Sequence, residues 1–331
     1  MSSPQPRGSM SEALLDALRG DPGSLPDMPV VIDDPLHGED FHLSLYLCYE
    51  LHYRGVDGVD TGWEWDPDLL RMRATMERSF ATALRDAATI PPLDGSVEER
   101  LLQLVDNYEG PSLSRYIQER GTDEQFREFV VHRSAYQLKE ADPHTWAIPR
   151  LWGAPKAALI EIQSEEYGEG KAAAMHSSLF AGTMRALGLD DAYGAYVDVI
   201  PGVTLATVNL MSMFGLHRRW RGAIVGHLAA FEMTSTEPNR RYAEGGRRLG
   251  FGRDALHFYE EHVEADATHE VLAAHHLAGG LASQDPDVAE DIIFGAAALL
   301  EMEARFAGHL IGAWSEGRTS LREPLVLAMS A

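Results

Sequence analysis

Apolar residues recur along this chain at helical spacing, and strict alternation is scarce. That period keeps one face of an α-helix against a core. Between Asp40 and Arg54, Leu43, Leu45, Tyr46, Cys48, Tyr49 and Leu51 give a broad apolar surface. Asp66-Pro67 opens the next helix, with proline at the position where its missing N–H costs nothing. Leu69, Leu70, Met72, Met76, Phe80 and Leu84 carry it to Ala88. The same reading predicts helices over 11–19, 97–105, 112–118, 123–140, 154–167, 172–187, 218–234, 238–249, 254–277 and 285–315. An apolar stretch from Tyr193 to Ser212 is interrupted at Pro201-Gly202, and Pro143 and Pro149 mark an irregular link.

The expectation is an all-α protein, a helical bundle with an N-terminal helical extension. Residues 1–27 are expected to be largely disordered, 28–120 to form a helical region packed on the core, 121–316 to be the core, and 317–331 to be a tail. There is no internal repeat, and no glycine-rich turn of the kind that cradles nucleotide phosphates.

Composition narrows the function. A chain of 331 residues can bury a sizeable core. A net charge of -23 argues against nucleic acid and anionic membrane surfaces as partners. The single cysteine, Cys48, excludes an intramolecular disulfide and a thiolate metal cluster. No apolar run approaches the ~18–20 residues that span a bilayer. The first residues lack the pattern of a secretory signal, so a cytoplasmic location is expected.

The candidate chemistry centres on His262, Asp266 and His269. At i, i+4 and i+7 they share one helix face over two turns. Imidazole and carboxylate together suit iron, manganese or zinc. Glu140, Glu166, His176 and Glu232 also stand among apolar residues. Carboxylates are rarely buried without a partner, so such positions need an explanation, and metal ligation is one. Each has a plainer alternative: Glu140 at the surface, one of Glu165 and Glu166 solvated, His176 bonded to a carbonyl, Glu232 paired with Arg219 or Arg221. Glu39, His42, Glu50 and His52 form another cluster, read as a solvated or supporting face. His275 and His276 read as surface, and Cys48 as core. No His-Glu-x-x-His and no Gly-x-Ser-x-Gly occurs, which argues against a zincin protease and an α/β-hydrolase.

Taken in order, Glu140, Glu166, His176, and His262-x-x-x-Asp266-x-x-His269 resemble the haem-oxygenase-like di-iron oxidases and oxygenases. The strings Tyr136-Gln137-Leu138-Lys139-Glu140-Ala141-Asp142-Pro143-His144 and Glu165-Glu166-Tyr167-Gly168 resemble the iron-containing redox enzymes of that superfamily. The resemblance covers about 130 to 300, with a looser likeness over Cys48-Tyr49-Glu50-Leu51-His52-Tyr53-Arg54-Gly55. It implies a haem-oxygenase-like fold holding two non-haem irons, with O2 as co-substrate and no catalytic group beyond the ligands. Glu140, His176 and His269 would hold one iron, His262 and Asp266 the other, with Glu166 bridging. Glu232, between His176 and His262, resembles the extra carboxylate of the N-oxygenating branch.

The resemblance therefore implies O2-dependent N-oxygenation of a small amine through a peroxo-di-iron intermediate. It also implies a role in small-molecule biosynthesis, an external electron donor and a homodimer. Oxidative desaturation or C–C cleavage of a fatty acid or amino acid on the same scaffold is the first alternative, and a long apolar tunnel would favour it. A thiaminase-like or cofactor-free enzyme would need a cysteine or other pocket nucleophile, or a pocket basic cluster, with the ligand-type residues pointing apart. A non-catalytic helical interaction protein would expose His262 and His269.

Overall fold

The computed structural model describes residues 1–23, 25, 30, 32 and 34–325, and for 264–268 the helical backbone alone. Among the described residues the secondary structure is helical, with no strand. The helices are α1 Ser9–Leu18, α2 Glu39–Glu50, α3 Pro67–Ala87, α4 Val97–Asp106, α5 Leu113–Arg120, α6 Asp123–Gln137, α7 Asp142–Thr145, α8 Gly153–Glu166, α9 His176–Ala186, α10 Gly202–Leu216, α11 Arg221–Met233, α12 Thr236–Arg248, α13 Arg253–Val271, α14 Gly280–Gln284 and α15 Ala289–Ser315. A π-helical stretch, Leu272–Gly279, joins α13 to α14 without a break, so the helix predicted to stop at Leu277 runs on to Gln284.

Local sequence explains where several helices start. Asp66 accepts hydrogen bonds from the backbone N–H of Asp68 and Leu69 ahead of Pro67. Ser96 with Glu99, and Thr122 with Gln125, form reciprocal capping boxes at α4 and α6. Each cap satisfies N–H groups that have no partner inside the helix, typically worth about 1 kcal/mol.

The core is built on α10, α11 and α15, whose apolar residues are buried over most of their lengths. α11 and α15 meet backbone to backbone. A Cβ on Gly226 would lie 1.8 Å from the Ile292 carbonyl oxygen, and one on Gly295 would lie 2.0 Å from that of Ala223. The N-terminal helices pack into the same body, with α2 against α10, α3 and α4 against α15, and α5 against α12. From Phe41 to Glu50, every residue of α2 is buried.

The expectation of disorder from the first residue is corrected over 1–23. Met10, Leu14, Leu15 and Leu18 of α1 are buried, and α1 packs against α2. The Asp40 carboxylate accepts hydrogen bonds from the N–H groups of Met10 and Ser11 at 2.9 and 2.7 Å. A neighbouring helix thus caps α1 where its own sequence, with Gly8 at the cap position, does not. The described part of the tail is also anchored, with the Ser320 N–H and hydroxyl donating to Glu128 at 2.8 and 2.6 Å. No helix among the described residues is long and apolar enough to cross a membrane.

The close approach of α11 and α15 gives a stability prediction. Gly226→Ala should cost about 1–3 kcal/mol through overpacking, despite the roughly 1 kcal/mol helix preference of alanine over glycine. Gly308→Ala, on the same α15 but with nothing within 4 Å of the new methyl, should be neutral or slightly stabilising. Urea unfolding of the two variants checks the contrast, and equal stabilities would contradict the packing described.

Candidate metal centre

Five elements deliver six side chains to one buried volume. Glu140 comes from the turn between α6 and α7, Glu166 from the last residue of α8, His176 from the first residue of α9, Glu232 from α11, and His262 and His269 from α13. All six are buried, none more than 8% exposed.

Glu140 does not stand on a helix. α6 ends at Gln137, and Ala141 adopts the left-handed region with φ 72°, sparsely populated by residues with a side chain. The turn is held from outside. Gln163 donates to the Ala141 carbonyl at 2.9 Å, and Arg54 to that of Leu138 at 3.0 Å. Lys139, 1% exposed, forms a buried ion pair with Glu50 of α2. Its Nζ stands 3.9 Å from the centroid of the Tyr53 ring, and the Tyr193 hydroxyl donates to the other oxygen of Glu50 at 2.6 Å. Burial pushes the Lys139 ammonium down from its ordinary pKa, and Glu50 opposes that shift.

Glu166 and His176 are brought together by a folded-back loop. Gly168 has φ +63°, and a Cβ there would lie 2.5 Å from the Ala174 carbonyl carbon. The positive φ and the close approach both call for glycine. The result places His176 Nδ1 2.8 Å from Glu166 Oε2.

α13 carries two imidazoles two turns apart, and each has a ring nitrogen fixed by a partner. His262 Nδ1 donates to the Phe258 carbonyl at 2.7 Å, leaving Nε2 facing Glu140 Oε1 at 3.6 Å. His269 Nε2 donates to Glu165 at 2.8 Å, leaving Nδ1 3.5 Å from Glu232 and 3.7 Å from Glu166. A hydrogen bond on one ring nitrogen sets which nitrogen can bind a metal.

The side chains fall into two groups. Glu140, Glu166, His176 and His262 offer ligand atoms within 4.8 Å of one another, as do Glu166, Glu232 and His269. Glu166 belongs to both. This grouping differs from the one the resemblance implied, in which His269 joined Glu140 and His176. The two-turn spacing of His262 and His269 sends them to opposite ends of the cluster. Asp266, also expected in the set, has a side chain outside the described residues.

The electrostatics call for a cation. Burial raises the pKa of Glu140, and burial with the nearby Glu166 raises that of Glu232. Burial alone would lower the His269 pKa, but Glu232, Glu166 and Glu165 outweigh it and hold it at about 9. Glu140 Oε2 has no hydrogen-bond partner among the described residues. Three buried carboxylates beside three imidazoles are costly unless positive charge compensates them. This nitrogen and oxygen donor set, without thiolate, fits iron.

Other candidates resolve differently. Arg219 lies 3.8 Å from Glu77 and Arg221 pairs with Asp285, so the ion pairs these two make are not with Glu232. Of the N-terminal cluster, Glu39 meets Arg7 and His42 is fully buried beside Asn209. Glu50 is the partner of Lys139, and His52 meets Glu64 and Arg73. These are structural contacts rather than a solvated face. Cys48 is buried and its thiol is pushed up to about 12, so it is no ready nucleophile. His275 and His276 are exposed. Sequence reasoning missed the bond from His269 to Glu165, and it missed Lys139, whose position beside Glu140 was the available signal.

A cavity of about 180 Å³ reaches the centre, with Glu140 and His262 in its wall. At about 180 Å³ it is small for a long fatty acyl chain.

Residues 127–304 match the sequence model of the iron-containing redox enzymes. No curated protein matches the chain. Two crystal structures of a CADD-like protein of unknown function from Nostoc punctiforme PCC 73102 are similar to it, each at 16% identity. One match covers 65% of this chain and 96% of that one at TM-score 0.52. The other covers 70% and 97% at TM-score 0.50. These likenesses bear on the fold, and the all-α, haem-oxygenase-like architecture expected from the sequence is the one found.

The Lys139–Glu50 pair makes a prediction. Lys139→Met alone strands a buried carboxylate and should cost about 3–5 kcal/mol. Adding Glu50→Gln should recover most of that loss in urea unfolding. A double variant no more stable than the single one would show that the pair is not what holds this turn.

Proposed function

Because the chain belongs to the iron-containing redox enzyme family, we propose that it is a di-iron, O2-dependent oxygenase that oxidises the nitrogen of a small amine. The observation that carries the reading is Glu232, buried 3.5 Å from His269 at the end of the cluster away from His262. A third buried carboxylate there matches the extra ligand of the N-oxygenating branch. The cavity volume of about 180 Å³ favours a small substrate over a long fatty acyl chain.

In this reading Glu140, His176 and His262 would hold one iron and Glu232 and His269 the other, with Glu166 within reach of both groups. Asp266 is proposed as a further ligand. The pair of irons, when bound, supplies electrons to O2 and activates it. The Phe258 carbonyl and Glu165 keep His262 and His269 in the tautomers that present Nε2 and Nδ1 to the centre. The aromatic wall of the cavity would pack against the amine, with Glu140 and His262 at the side where its nitrogen would meet the centre. Overall, an amine N–H becomes N–OH, the second oxygen atom leaves as water, and an external donor supplies two electrons with two protons.

The direct test supplies Fe(II), O2, a reductant and a panel of small amines, and looks by mass spectrometry for products one oxygen heavier. Glu232→Ala should retain its helical circular dichroism, weaken Fe(II) binding by more than about tenfold and abolish that product. Unchanged iron loading and unchanged product would remove Glu232 from the site.

The centre also predicts a pH dependence. Without metal, His269 keeps its proton up to about pH 9, and an imidazolium cannot ligate. Anaerobic Fe(II) affinity should therefore rise with pH up to about 9, by about tenfold per unit for the one proton displaced. Affinity independent of pH between 7 and 8.5 would place His269 outside the ligand set.

A further inference from the structure

The cavity carries polar groups that the ligand set does not use. A cavity of about 150 Å³ holds one benzene ring, so 180 Å³ has room for one ring with a small substituent. Phe129, Phe180, Phe231, Tyr242, Phe258 and Tyr259 line it. Polar groups also line it, and beside Glu140 of the metal centre two of them stand out. Gln137 Oε1 and the Tyr259 hydroxyl are both buried with no hydrogen-bond partner among the described residues. Tyr259 is only 2% exposed, so bulk water does not satisfy it. Buried polar groups of this kind are ordinarily paired, and each exception calls for an explanation.

Position in the chain gives the two groups direction. Tyr259 stands three residues before His262 on α13, one helical turn away on the same face. Gln137 is the last residue of α6, three before Glu140. All four residues line the same cavity. A head group held by Gln137 and Tyr259 therefore lies beside the Glu140–His262 end of the centre.

The chemistry of the two groups selects that head. The amide oxygen of Gln137 only accepts, so it asks for an N–H or O–H. The Tyr259 hydroxyl can donate or accept; where it donates it needs a lone pair, which an ammonium lacks. An uncharged amine offers both. Glu140 and His262 in the wall belong to the metal centre, and its other charged groups among the described residues are paired. Arg133 and Glu303 also line the cavity but are joined by two hydrogen bonds, at 2.8 and 2.6 Å. An ammonium or carboxylate ligand would have to part them.

We propose that Gln137 and Tyr259 orient the substrate, and that the substrate is an uncharged amine carried on a single aromatic ring. The inference rests on the N-oxygenation reading above and names its substrate class. An arylamine stays neutral near pH 7 and keeps the nitrogen lone pair that oxygenation uses. An alkylamine is an ammonium there and has none.

The test measures calorimetric affinities at pH 7 for three probes: aniline, its near-isostere toluene, and cyclohexylamine. The full chain is used as isolated and again after anaerobic Fe(II) loading. Gln137→Leu and Tyr259→Phe should each weaken aniline about fivefold, the effect of one net hydrogen bond, while toluene binds as well as before or better. Cyclohexylamine should bind far more weakly than aniline. The proposal is overturned if aniline binds both variants as it binds the wild type. It is also overturned if aniline and toluene weaken together, if cyclohexylamine matches aniline, or if the wild type binds neither aromatic probe. Any of these with normal Fe(II) uptake leaves N-oxygenation standing for another substrate. The expected probe pattern in a chain that takes up no Fe(II) removes N-oxygenation and keeps the cavity assignment.

Discussion

Three carboxylates and three imidazoles share a buried space inside a helical bundle, and the surrounding structure is arranged around keeping them there. Removing carboxylates from water is unfavourable unless cations or hydrogen bonds compensate. Here the compensation inside the protein is partial. His176 and His269 lie close enough to pair with carboxylates, while Glu140 keeps an oxygen without a hydrogen-bond partner among the described residues. The metal-free arrangement thus raises the pKa of Glu140, Glu232 and His269. Divalent ions at the two groups would relieve that cost, so folding energy and metal affinity are linked at this centre.

The burden of holding the ligands is spread over distant parts of the chain. Glu140 sits in a turn with a left-handed alanine, and a turn is a weaker platform than a helix interior. The Lys139–Glu50 pair fastens that turn to α2, more than eighty residues earlier in sequence. α2 is in turn buried against α10, and α1 against α2. The N-terminal helices therefore act on the centre through packing, although none of its six described side chains comes from them.

Helical periodicity was enough to read the class of fold and most helices, because nearly every helix buries one apolar face. α1 was only partly legible, since its N-terminus is capped by Asp40 from another helix. The π-helical stretch after α13 was not legible at all, as its apolar spacing is close to that of an α-helix. The ligand-type residues could be picked out as charges among apolar neighbours. Their grouping could not, because it depends on which end of α13 faces which neighbour. The cavity's polar pair escaped for a similar reason. Gln137 and Tyr259 look ordinary in sequence, and only the folded chain leaves their polar atoms without partners beside Glu140 and His262.

The central claim is that the buried cluster is a two-iron site, and anaerobic Fe(II) titration of metal-free protein tests it most directly. The account predicts saturable uptake of about two irons per chain, followed by rapid consumption of O2 on mixing. A His262→Ala/His269→Ala variant should show neither. A wild-type chain that binds no Fe(II) beyond that variant would contradict the account, and the buried carboxylates would then need another source of compensation.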